Sequence, residues 1–286
     1  MIDSHTHTSF SKHAVGTVDD LVRSALANGV RILTITDHAP FFIDETNRLL
    51  ECELQKYFQD IDRSREKYEG QITILRGLEL DYFPGAYDYL AKMVGRLDLD
   101  YVIGSIHYIP LGNEHVKVWD LPRLNNPHVL DSYFSVLEEL LKCGLFDAVG
   151  HPDALLRGVP SDLHLERLVP LLPEFARHHI AFELNASGLR KTTMNLCSGK
   201  EEHGIWSYPS LSTASLLIHA GAAFTIGSDA HAPEDVGAGV GEVVDTLIPL
   251  GLEKVSYFER RRRIDINAAD LRACAPPRTT DPQRRA

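Results

Sequence analysis

The sequence predicts an α/β fold in which parallel strands close into a barrel. Three observations carry that expectation. Short β-branched runs alternate with longer amphipathic stretches along the chain, the pattern of strand–helix units around a parallel sheet. Ligand-type side chains fall where the strand runs end, and in an α/β barrel those ends gather on one face. The 286 residues are 44% hydrophobic, enough apolar material for a barrel of this size as one domain.

Each element has its own reason. Residues 1–4 form a short first strand. TVDDLVRSALANGV reads as a helix, with Thr17 as N-cap, Asp20 at the capping-box position and Gly29 as the stop. The β-branched run RILTIT is the second strand. A polar helix follows at about 47–69, then the strand QITILRGLEL, a helix near 86–96 and the strand DYVIGS. HVLDSYFSVLEELLKCG has helical periodicity and ends at Gly144; LFDAVG is the next strand. LERLVPLLPEFARHH is helical with a proline kink. IAFELN is a strand, SLSTASLLIHAG a helix and AAFTIGS the seventh strand. A helix near 239–250, a weak strand near 254–258 and the basic run ERRRR follow. A single domain over 1–274 is expected, with a disordered Pro- and Arg-rich tail at 275–286. Insertions near 109–126 and 189–208, carrying Trp119 and Trp206, are placed to cover a pocket.

Composition excludes some partners. A net charge of −11 argues against a groove that tracks nucleic acid, while leaving room for a phosphate ligand if bound cations reverse the local field. Cys52, Cys143, Cys197 and Cys274 are widely spaced, so a disulfide framework is not expected and a reduced cytoplasm fits. MIDSHTHTSF lacks a basic stretch followed by an apolar run, and no segment is long and apolar enough to span a membrane, so neither a signal peptide nor a membrane partner is expected.

Placed on this map, the polar residues form a constellation. Strand ends carry His5 and His7, Asp37 and His38, Glu79 and Asp81, His107, His151, Glu183 and Asn185, and finally Asp229 and His231. Side chains at i and i+2 of an extended segment point the same way, so His5 and His7 can share one metal, as can Asp229 and His231. GLELDY sets Glu79 inside an apolar strand, where an unpartnered carboxylate is costly. Barrel closure would place the first and last strands side by side. The expected site is therefore a cluster of divalent cations.

SHTHTSFSKH, TDHAPF, GLELDY, GSIHY, GHPD and GSDAH resemble, in the same order, the motifs of the polymerase and histidinol phosphatase (PHP) family, over residues 1 to about 238. Chain length, SHTHTSFSKHA and TDHAPF are most similar to its histidinol-phosphatase branch. The resemblance implies a distorted TIM-like (β/α)7 barrel with three divalent ions: one on His5, His7, Glu79 and Asp229, one on Glu79, His107 and His151, and one on His13, His38 and His231. His13, in a polar loop, is assigned by the resemblance alone. It also implies that Arg157 and Arg190 bind the substrate phosphate. The remaining histidines (His115, His128, His164, His178, His179, His203 and His219) are expected to be structural or exposed.

The expected chemistry is hydrolysis of a small phosphate ester, L-histidinol phosphate, in histidine biosynthesis. A hydroxide generated at the metals would attack phosphorus in line, with Asp229 handling the proton. Asp37, Asp81 and Asp153 are placed to orient imidazoles. An imidazole-rich set suits zinc, manganese or iron. The alternatives are a family phosphoesterase acting on nucleotides or short oligonucleotides, an amidohydrolase-type metal hydrolase, and a non-catalytic metal-binding module.

Overall fold

The computed structural model describes residues 1–112, 114–118, 127–152, 162–195, 200–203 and 208–272. Arg157, Asp153, Trp119, Trp206 and the tail at 275–286 lie outside the described residues.

Seven parallel strands make the frame: β1 (Ile2–Asp3), β2 (Ile32–Ile35), β3 (Thr73–Asp81), β4 (Tyr101–Ser105), β7 (Ala148–Val149), β8 (Ala181–Asn185) and β11 (Phe224–Gly227), each paired with the next in that order. These are the seven strands expected from the sequence. The ring closes where residues 4–7 meet residues 226–230. Ser4 N donates to Ile226 O (2.9 Å), Asp229 N to His5 O (2.8 Å) and His7 N to Ala230 O (2.8 Å). Gly227 permits this contact, since a Cβ there would lie 2.3 Å from the Cβ of His5.

The helices α1 (Val18–Ala27), α2 (Leu54–Lys67), α3 (Tyr87–Arg96), α4 (Pro127–Lys142), α5 (Asp162–Leu168), α6 (Leu172–Arg177), α7 (Leu211–His219), α8 (Val240–Leu247) and α9 (Ala268–Arg272) connect or follow these strands. The capping box on α1 is as the sequence predicts: Asp20 N donates to Thr17 Oγ1 (3.2 Å) and Thr17 N to Asp20 Oδ2 (2.9 Å). The proline-interrupted stretch is α5, a 3-10 turn at Val169–Leu171 and then α6. The expected helix at 47–69 starts later, at Leu54, after two short 3-10 turns.

Alternation along β3 explains how the barrel carries a charge inside it. Leu78 and Leu80 join the main core cluster, which includes Tyr57, Ile61 and Leu90 of α2 and α3. Glu79, between them, points to the other face. Tyr101, Ile103, Ala148, Ala181 and Phe258 form a separate small cluster, with Tyr101 and Phe258 stacked at 5.2 Å.

The doubtful strand near 254–258 is real. β12 (Lys254–Glu259) pairs parallel with β11 at Thr225 and antiparallel with β13 (Arg262–Asn267). The run ERRRR lies at the turn of this hairpin and the start of β13, with Arg260 and Arg261 at φ 49° and 62°. Each insertion contributes a hairpin among the described residues, β5 (Tyr108–Leu111) with β6 (Glu114–Lys117) and β9 (Thr192–Asn195) with β10 (Lys200–His203). Among the described residues, no helix is long and apolar enough to cross a membrane.

Candidate metal centre

The strand ends bring the predicted residues together around Glu79, which is 1% exposed. Its Oε2 lies 3.4 Å from His5 Nε2, 3.5 Å from His7 Nε2 and 2.8 Å from His38 Nδ1. Its Oε1 lies 3.1 Å from His151 Nε2 and 3.6 Å from His107 Nε2, and accepts from Ser105 Oγ at 2.6 Å. Each carboxylate oxygen thus faces its own set of imidazoles, the geometry of a bridging ligand. Asp229 Oδ1 lies 3.4 Å from His7 Nε2 and 3.8 Å from His5 Nε2.

Hydrogen bonds on the far side of each ring decide which nitrogen faces the centre. His5 Nδ1 donates to Glu183 Oε1 (2.5 Å), His107 Nδ1 to Asp81 Oδ1 (2.8 Å), His13 Nδ1 to Ser11 O (2.7 Å) and His231 Nδ1 to Asp229 O (3.0 Å). All four therefore turn Nε2 inward, the nitrogen left to bind a cation once it is free of its proton. Asp81 orients an imidazole as expected. Asp37 does so only indirectly, because its carboxylate takes Thr8 N, Thr8 Oγ1 and Ser11 Oγ; burial pushes it up to about 7 against those bonds. Glu183 and Asn185 stand behind the ligands: Glu183 Oε2 accepts from His151 N (2.7 Å) and from Asn185 Nδ2 (3.1 Å).

These residues fit divalent metal ions. His5 Nε2, His7 Nε2 and His38 Nδ1 are buried, have no hydrogen-bond partner and converge on one carboxylate. His13 Nε2 and His231 Nε2 face each other at 3.0 Å, although both rings hold their proton on Nδ1. Two lone pairs so placed repel unless a cation lies against both; two ligands on a tetrahedral zinc with Zn–N of about 2.0–2.1 Å stand roughly 3.3 Å apart. Among the described residues, three groups have donor atoms close enough to share an ion: His5, His7 and Asp229; His7, His38 and His231; and His38, Glu79 and His107. His38 thus belongs to two groups, where the resemblance gave it to one.

Two of the candidate ligands sit in the left-handed region, His151 at φ 29° and Asp229 at φ 52°. Such backbone costs of order 1–3 kcal/mol per residue and persists where its surroundings fix it. Here the main-chain N–H of His151 is held by Glu183, and that of Asp229 by His5 O.

The centre opens into a cavity of about 450 Å³ lined also by Asp44, Asn47, Arg48, Tyr108, Lys117 and Lys191. Of these six, only Tyr108 appears in the sequence motifs, as the last residue of GSIHY. Arg48 is buried and paired with Asp81 (2.7 Å), which in turn holds His107. Lys191 Nζ lies 3.6 Å from Asp229 Oδ2. Asp44 Oδ2 accepts from Tyr108 Oη (2.7 Å) and lies 3.3 Å from Lys117 Nζ, while its Oδ1 accepts from Asn47 and Thr46. Burial works against its charge, but these donors hold Asp44 down at about 2. Arg190, expected on phosphate, is not among the lining residues. Its Nη1 donates to Ala238 O, its Nη2 to Ser228 O, and its Nε faces Asp235. His115, His128, His178, His179 and His219 do not line the cavity either, in line with their expected roles. A larger cavity, about 580 Å³, opens by the N-terminal ends of β11 and β12, and none of the three potential ion-sharing groups lies there.

Comparisons with known proteins agree with this fold. A Deinococcus radiodurans protein named "Probable histidinol-phosphatase" is 29% identical over 267 residues, covering 91% of this chain and 98% of its own length. The Bacillus subtilis histidinol-phosphatase is 25% identical over 267 residues, covering 82% and 95%. The fold matches the crystal structure of a histidinol phosphate phosphatase from Lactococcus lactis, complexed with zinc, L-histidinol and phosphate, at a TM-score of 0.73 and 20% identity, covering 92% of this chain and 98% of that one. The family model for the PHP domain matches residues 3–187, more than half of the sequence, and the chain belongs to the PHP domain family.

Proposed function

We propose that this chain is a metal-dependent phosphomonoesterase that hydrolyses L-histidinol phosphate to L-histidinol and phosphate. The observation that carries this reading is the convergence of five imidazoles on the two oxygens of one buried carboxylate, Glu79. Near-full-length relatives named as histidinol-phosphatases support the choice of substrate. Three divalent ions, zinc, manganese or iron, would be held by His5, His7, Glu79 and Asp229, by Glu79, His107 and His151, and by His13, His38 and His231. When bound, such ions activate water and neutralise charge on phosphoryl oxygens.

The chain's own groups supply the rest. Asp229 Oδ1 faces the imidazoles, and its Oδ2, held by Ser187 Oγ at 3.1 Å, is free of the rings and placed to take the proton of the attacking water. Lys191, beside Asp229, takes phosphate charge. Arg190 braces the loop that carries Asp229, through Ser228 O and Ala238 O. Arg157 remains a proposed phosphate contact. In the cavity wall Asp44 is ionised and oriented by three neutral donors and by Lys117 Nζ at 3.3 Å, and it would take the ammonium of a substrate whose alcohol carries a cation in competition with Lys117. A cavity of this size suits a small ester rather than a polynucleotide. The widely spaced cysteines fit a cytoplasmic enzyme.

A panel of phosphate esters, including histidinol phosphate, nucleotides and p-nitrophenyl phosphate, assayed with manganese or zinc, tests this. Histidinol phosphate should have the highest kcat/KM. A rate no better than that of the aryl phosphate would overturn the substrate assignment.

A further inference from the structure

Ser11 lies in the short 3-10 turn Ser9–Ser11, four residues after His7, and is fully buried. Its hydroxyl has one proton and two lone pairs to place, and three neighbours. Oγ is 2.6 Å from Asp37 Oδ1, 3.2 Å from His38 N and 3.3 Å from His7 Nδ1. The main-chain N–H of His38 can only donate. Asp37 receives donors at every other contact of its carboxylate, from Thr8 N and Thr8 Oγ1. The Ser11 proton therefore points to Asp37, and both lone pairs accept, one from His38 N–H and one from His7 Nδ1–H. With its proton on Nδ1, His7 turns a bare Nε2 toward Glu79 and Asp229, where it is buried without a hydrogen-bond partner. The carbonyl of the same residue accepts from His13 Nδ1 at 2.7 Å and does for His13 what the hydroxyl does for His7.

We propose that Ser11, anchored by Asp37, is a positioning residue of the metal centre: it fixes the ring tautomers of His7 and His13 and holds the loop of His38, tying together donors from two strand ends. This rests on the metal-dependent reading above. Asp81 and Glu183 do comparable work for His107 and His5 through carboxylates. A serine does so only because a second group, Asp37, takes its proton.

The test is uptake of Co(II) by metal-stripped protein, followed by visible absorption, together with 15N-histidine NMR of the zinc-loaded form. Wild type should take up cobalt and show protonated Nδ1 on His7 and His13. Ser11→Ala should weaken cobalt binding about 10–100-fold, as losses of such supporting hydrogen bonds do. It should also abolish the fixed Nδ1–H of His7 while leaving that of His13, whose acceptor is main chain. Asp37→Ala, which removes the acceptor of the Ser11 proton, should reproduce the His7 effect with Ser11 still in place. Ser64→Ala, a buried serine on α2, should bind cobalt like the wild type. If metal-free Ser11→Ala does not unfold cooperatively, Ser11→Cys, of similar shape but a weak acceptor, carries the same test. Cobalt affinity within about threefold of wild type, with His7 unchanged, would overturn the proposal and leave the metal reading standing. Failure of the wild type to take up cobalt would instead overturn the metal reading, and this proposal with it.

Discussion

Glu79 is the residue on which the site turns. Changing it to Gln keeps the shape but removes the charge that faces five imidazoles. We predict a loss of kcat/KM of at least about 10³-fold, with metal content falling in parallel by elemental analysis; electrostatic groups at a reacting centre are commonly worth about 10²–10³ each, and here a ligand is lost as well. Lys191→Ala should cost more than Arg190→Ala in kcat/KM, while Arg190→Ala should lower stability more; the reverse order would return the phosphate to Arg190. Asp44→Asn should raise KM for histidinol phosphate and leave p-nitrophenyl phosphate unaffected. The sign with pH is fixed by the depressed pKa. A carboxyl held at about 2 contributes to stability above its unfolded value of about 3.9, and that contribution is lost as pH falls toward 2. Between about pH 5 and 7 neither Asp44 nor an α-ammonium of the substrate titrates, so the wild-type to Asp44→Asn ratio of KM should stay flat there; a ratio that moves in that window would contradict its role. Most of the candidate ligands were legible because HxH, an acid within an apolar run and histidines at strand ends are unusual in sequence; His13, in a polar loop, came from the resemblance alone. Ser11, Asp44 and Lys191 were not, because a serine in a polar loop, an acid between a strand and a helix and a lysine in an insertion look like ordinary surface until the fold is known.

At the scale of elements, local signals read correctly where chemistry is local. The α1 capping box depends on residues three apart, and it forms as expected. Thr17→Ala should therefore lower stability by about 1 kcal/mol, measured by denaturant unfolding, with kcat unchanged. The β12–β13 hairpin shows the opposite case. Its basic turn reads as a charged run, but the hairpin is set by tertiary contacts: Arg261 Nε pairs with Asp147 Oδ2 at 2.5 Å and Nη2 donates to Leu145 O, while Arg260 N donates to Asp100. Asp147 is buried, and burial raises its pKa against the pull of Arg261. Arg261→Ala leaves that carboxyl without its cation, and we predict a loss of roughly 1–3 kcal/mol in urea unfolding with the metal centre intact. A loss below about 0.5 kcal/mol would show the pair to be incidental.

For the molecule as a whole, ring closure is what turns scattered residues into a site. His5 and Asp229 are 224 positions apart, and one main-chain hydrogen bond joins them. The strand count and the convergence of strand ends followed from strand–helix alternation, since parallel barrels put those ends on one face. The cavity walls did not, because hairpins inserted between strands take their direction from packing. Metal binding should couple to stability across this ring. At a hundredfold excess over Kd, each ion adds about 2.7 kcal/mol, so a chelator should lower Tm by several degrees and added zinc should restore it. The most direct measurement is an anomalous-scattering map from crystals grown with zinc or manganese. Peaks are expected between His5, His7, Glu79 and Asp229, between Glu79, His107 and His151, and beside His13, His38 and His231. An active crystal with no anomalous peak within coordination distance of Glu79 would contradict the metal centre and the mechanism built on it.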